Sequence, residues 1–202
     1  MGGLSKMRTL FSKFSAVGGF EGWMIAKLNF KRLLAGSGRV SKENSEAVIL
    51  SQRARYAIFQ AEDANWQVQM HLIKPKEQKK EITSKEGQKK NWDKEMKFSK
   101  EIAKWKINKE EILEFVTLVE DLNSIHRTEH AVVPGFLFIE RMWKNAKVAE
   151  CIKEWKEFEV IFFSPAYEEE TITLLQEEKM GNIFAVTRRE TEPILLWECR
   201  IL

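Results

Sequence analysis

Cysteine is scarce: Cys151 and Cys199 lie far apart and form no redox or metal motif. The start of the sequence carries no cleavable secretory signal, so a disulfide framework is not expected. A reducing intracellular setting (cytoplasm, nucleus or organelle matrix) is the simpler expectation. No window approaches the roughly eighteen consecutive apolar residues that a membrane-spanning helix needs. Gly36-Ser37-Gly38-Arg39 lacks the Gly-Lys-Ser/Thr ending of a phosphate-binding loop. There is no Gly-x-Ser-x-Gly nucleophile turn and no internal repeat at a solenoid period. Tyrosine occurs only twice, against seven Trp and thirteen Phe. Most of those rings must lie in a core, which a chain of 202 residues is long enough to build.

The net charge of +3 conceals an asymmetry. Residues 1–40 carry seven Lys/Arg against one Glu, and residues 41–110 carry sixteen against eleven. Residues 111–202 reverse the balance, with ten against eighteen. A basic first half suits a polyanion, and the acidic second half offers a surface to a protein partner.

Leu4, Met7, Phe11 and Phe14 recur at helical spacing among Lys6, Arg8 and Lys13. Residues 1–20 therefore read as a basic amphipathic arm, an organelle address or a docked helix, ahead of one α+β domain over 21–202. Alternation of Met24, Ala26, Leu28 and Phe30 predicts a strand over 23–31, with a helix as the rival reading. Residues 47–60 and 65–73 predict a hairpin, with Trp66, Val68, Met70 and Leu72 on one face and Gln67, Gln69 and His71 on the other. Residues 74–94 have no periodicity and read as a Lys-rich loop. A strand over 96–107 leads to Asn108, which with Glu111 forms a capping box for a helix reaching about Ser124. A second helix is expected over 138–157, with Met142, Ala146, Ala149, Ile152 and Trp155 on one face. Residues 158–163, 171–176, 183–189 and 194–202 read as a closing antiparallel meander. The expected fold class is thus α+β, an antiparallel sheet with two principal amphipathic helices.

His126-Arg127-Thr128-Glu129-His130 has the His-x-x-Glu-His spacing of one zinc-peptidase group. It falls where a helix ends, so two imidazoles on one helical face are not expected. No metal and no cofactor are expected, and enzyme activity is the minority reading. From Lys74 to Lys109 there are thirteen Lys and six acids, interleaved with Trp92, Phe98 and Trp105. Lysines neutralise phosphates and aromatics stack on unpaired bases. On that chemistry Lys76, Lys79, Lys80, Lys89 and Lys90 are the candidate phosphate contacts, with Trp66 and Trp92 as candidate stackers. The order of strands, basic loop, strand and Asn108-capped helix resembles in outline the Whirly type of single-stranded DNA-binding fold, with Lys106-Ile107-Asn108-Lys109-Glu110-Glu111 at its strand-to-helix junction. That resemblance covers residues 22–125 and implies sequence-tolerant binding of single-stranded DNA or RNA. The rival is a matrix-like structural protein whose N-terminal arm meets a membrane surface, with homo-oligomerisation as a further option.

Overall fold

The computed structural model describes residues 2–33, 46–63, 65–75, 99–152, 154–178, 180–190 and 192–202, with side chains from Arg8 onward. The chain opens with helix α1 (Gly2–Ser15), whose apolar face is docked rather than free. Leu10, Phe11 and Phe14 are buried. The Phe11 and Phe14 rings stack on Phe136, with centroids 4.2 and 5.6 Å away. Strands β1 (Met24–Arg32), β2 (Val48–Arg53), β3 (Tyr56–Glu62) and β4 (Trp66–Ile73) follow. In β3 and β4 burial alternates as period-two patterning requires, putting Ala57, Phe59, Val68 and Met70 inward.

Strand β5 (Ser99–Trp105) leads to α2 (Lys109–Leu118). The Asn108 side chain accepts the Glu111 N–H at 2.8 Å, as the capping pattern predicts. The helix stops earlier than periodicity suggests, because Glu120 adopts a left-handed φ of 57° that no helix can continue. A short 3-10 turn (Ser124–His126) precedes α3 (Gly135–Lys144) and α4 (Ala146–Ile152). These two replace the single helix expected over 138–157. Asn145 is extended and its side chain accepts the N–H groups of Lys147 and Val148, so it ends one helix and caps the next. The described residues thus hold four α-helices rather than two. Strands β6 (Glu157–Phe162), β7 (Ile172–Glu177), β8 (Ile183–Arg189) and β9 (Glu192–Ile201) complete the chain.

All nine strands join one sheet in the order β2-β3-β4-β1-β6-β9-β8-β7-β5, and every neighbouring pair is antiparallel. Outward from the β1–β6 seam the order is first, fourth, third, second strand on both sides, with β5 added beyond β7 at one edge. The two sides therefore share a four-strand topology, a repeat carried by strand connectivity and invisible at the residue level. At the seam Leu28 faces Val160 and Phe30 faces Phe158, whose rings stack 4.6 Å apart. One hydrophobic core runs across the seam, so neither half has a core of its own. Among the described residues no helix is long and apolar enough to cross a membrane.

Candidate active site

A cavity of about 200 Å³ opens at one end of the seam, and both halves build it. The first half supplies apolar walls: Phe14, Val17 and Phe20 after α1, Trp23, Met24 and Ile25 entering β1, and Met70 and Leu72 leaving β4. The second half supplies Asp121, Asn123 and His126, the start of α3, and residues Phe162 to Ala166. The polar groups are few and converge, as ligand sites require.

The central group is His126, only 6% exposed. Its Nδ1 lies 2.6 Å from the Val132 carbonyl, which can only accept, so Nδ1 carries the proton and Nε2 keeps its lone pair. Nε2 stands 3.6 Å from Asp121 Oδ2, beyond a direct hydrogen bond but close enough for one atom to engage both. Burial holds the imidazole below its usual value of 6.5, against the opposing pull of Asp121 and of the Val132 carbonyl, with Arg127 adding to the depression. The histidine is accordingly a neutral base at neutral pH.

Backbone geometry brings this pair together. After the left-handed Glu120, the Asp121 N–H bonds the Val116 carbonyl at 2.8 Å and its Oδ1 accepts the Asn123 N–H at 2.9 Å. Asn123 then ties the loop to the other half of the molecule. Its Oδ1 accepts the Gly22 N–H at 3.0 Å, and its Nδ2 donates to the Trp23 carbonyl at 2.9 Å.

The N-terminus of α3 also meets the cavity. Pro134 offers no side-chain cap, and Gly135 and Phe136 line the cavity wall. Uncapped first-turn N–H groups carry the positive end of the helix dipole and suit a developing negative charge. Position 135 is tight for a side chain: a Cβ there would lie 3.0 Å from the Phe162 ring and 3.2 Å from Ile25 Cδ1, so those side chains would have to give way. Glycine therefore lets the helix end approach the seam.

The sequence-predicted site residues are placed differently. Lys76, Lys79, Lys80, Lys89, Lys90 and Trp92 lie outside the described residues. Trp66 is 8% exposed, its ring held edge-on between Phe30 and Phe158, with Arg32 over its face at 5.1 Å. Its faces are thus taken, and it cannot stack on a base. His126 and His130 do not share a helical face, because residues 127–130 turn away after the 3-10 helix. Among the described residues no three metal-ligating side chains cluster. The sequence reading met His126 only in the His126–His130 spacing, set that aside, and assigned it no role. The available signal was Asp121, Asn123 and His126 within six residues of loop, just ahead of the Pro134-Gly135 helix start.

No family model and no curated protein matches the sequence. Among solved structures, HtdX of Mycobacterium tuberculosis is similar at 13% identity over 98% of this chain and 94% of that one, with a TM-score of 0.56. Peroxisomal multifunctional enzyme type 2 of Drosophila melanogaster is similar at 9% identity over 89% of this chain and 37% of its own, with a TM-score of 0.50. A MaoC-like dehydratase from Phytophthora capsici reaches 0.48 at 12% identity, over 92% of this chain and 72% of that one. The likeness to HtdX shows an α+β, hotdog-like fold. It overturns the Whirly-type resemblance, which rested on element order over part of the chain, and with it the single-stranded DNA or RNA partner. What the described residues build is a largely apolar cavity with His126 and Asp121 in its wall.

Proposed function

We propose that the chain is an enzyme acting on an acyl thioester, adding water across the double bond next to the carbonyl or removing it. The observation that carries this reading is His126 and Asp121 facing one apolar cavity beside the uncapped start of α3. Each part answers a need of the reaction. The apolar walls from the first half hold the acyl chain and exclude bulk water. A cavity near 200 Å³ is smaller than the ~300–1,000 Å³ of drug-sized sites, so a short chain fits better than a long one. The first-turn N–H groups of α3 donate to the thioester carbonyl oxygen and stabilise the charge that gathers on it as the adjacent C–H is broken. In the dehydration direction Nε2 of His126 takes the proton from C2 while the Asp121 carboxylate accepts a hydrogen bond from the C3 hydroxyl. The C3–O bond breaks, the proton on Nε2 passes to the departing oxygen, and water leaves. Hydration runs the same path backwards.

The test is to incubate the protein with short 2-enoyl-CoA thioesters and follow loss of the conjugated double bond, with release of free thiol measured in parallel. Wild type should hydrate the substrate, and His126→Ala and Asp121→Asn should each lose roughly a hundredfold or more. Thiol release without hydration would reassign the pair to thioester hydrolysis. Neither reaction from a folded protein would overturn the reading.

A further inference from the structure

We propose that Arg189, at the end of β8 and outside the cavity wall, is a positioning residue that fixes the orientation of His126. The importance of that orientation rests on the acid–base reading above, but the geometry does not. The path has two links. His126 Nδ1–H is held by the Val132 carbonyl, and Val132 forms an antiparallel bridge with Tyr167. The residues on either side of Val132 lie along the same segment: the Val133 N–H donates to the Ala166 carbonyl at 2.9 Å, and the Glu168 N–H donates to the Ala131 carbonyl at 3.0 Å. The segment carrying that carbonyl is thus held on one side by residues 165–170 and on the other by the Ile125 carbonyl, which accepts the Val132 N–H at 3.1 Å.

That segment has no regular secondary structure beyond the bridge, and Glu169 within it is left-handed, with a φ of 61°. Arg189 holds it from behind at several points. Its Nε and Nη2 donate to the two carboxylate oxygens of Glu170, and Nη2 also donates to the Pro165 carbonyl. The guanidinium lies over the Tyr167 ring, 4.8 Å from its centroid. Glu170 Oε2 in turn accepts the Tyr167 N–H at 3.0 Å. A planar fork is needed to engage a carboxylate with two donors and a carbonyl at once, so lysine is not an equivalent here. All these partners lie between Pro165 and Glu170, at the two ends and the middle of the strip that carries Val132.

The His126 signature is read on folded protein, so an effect on His126 is separable from an effect on global stability. The experiment follows the His126 side-chain nitrogens by NMR in labelled protein. Wild type should show one tautomer, protonated at Nδ1, with a slowly exchanging Nδ1 proton. Arg189→Ala should exchange that proton roughly tenfold faster or more and populate both tautomers. Arg189→Lys should fall between the two. Arg141→Ala, which breaks a similarly exposed ion pair with Glu111 on α3, is the control and should leave the signature unchanged. If Arg189→Ala does not fold, Arg189→Lys decides alone. A folded Arg189 variant with the parent tautomer and exchange rate would overturn the proposal. An altered His126 signature in a protein that neither hydrates nor hydrolyses thioesters would uphold the positioning role and remove only the chemistry assigned to the site.

Discussion

At the scale of single residues, the site depends on a histidine kept neutral by burial, and that choice has a thermodynamic consequence. His126 has its folded-state pKa depressed below 6.5, as does His71, where burial and then the Lys27 charge are the causes. Below about pH 6.5 the unfolded chain binds protons that the folded one refuses. The stabilisation is thus complete above that value and is lost as pH falls towards the folded pKa. The melting temperature should decline from about pH 6.5 downwards, and His126→Asn should flatten part of that decline in a thermal scan across pH. Gly135 gives a second outcome. Gly135→Ala should cost about 1–2 kcal/mol in denaturant titration, because the Phe162 ring must shift to admit a Cβ. Adding Phe162→Leu should recover much of that loss, whereas a purely conformational role for the glycine would leave the double variant as unstable as the single one. The histidine was legible in the sequence as a chemical group, but its partner was not. Asp121 reaches it through a left-handed turn at Glu120, and helical spacing arithmetic does not describe such a turn.

At the scale of elements, the readable parts were those where one local rule dominates. Alternation in β3 and β4 and the Asn108 cap of α2 depend only on neighbours in the chain, and they appear as expected. The docking of α1 depends on tertiary partners and could not be read locally, whereas the break at Asn145 rests on a local cap that the apolar spacing over 138–157 masked. The first helix is held by its stacked rings and by Arg8, whose guanidinium forks onto the Glu140 carboxylate at 2.7 and 2.9 Å. Burial pushes the Glu140 carboxyl up, yet Arg8 and Lys144 outweigh it and hold the group below its ordinary value. Phe11→Ala should therefore cost about 3–5 kcal/mol in equilibrium unfolding, the usual range for emptying a buried phenyl site. A loss below about 1 kcal/mol would mean that α1 leaves the body at little cost.

At the scale of the whole molecule, charge asymmetry was the most conspicuous feature of the sequence and a poor guide to function. Charge reports the solvated surface, whereas the candidate site lies among buried groups at the seam between the two sides of the sheet. Because the stacked Phe30 and Phe158 join those halves in one core, unfolding should be a single transition. Tryptophan fluorescence, which samples both halves, and far-UV circular dichroism should give coincident denaturant midpoints. Two separated midpoints would show that the halves melt independently. The place of β9 sets a condition on the order of folding. It follows the other described strands in sequence, yet it lies inside the sheet between β6 and β8. Until it inserts, both of those strands present bare hydrogen-bonding edges, the kind that recruit other chains. A chain cut just ahead of Glu192 would keep those edges bare and should aggregate, so the sheet is sealed from within by its last described strand.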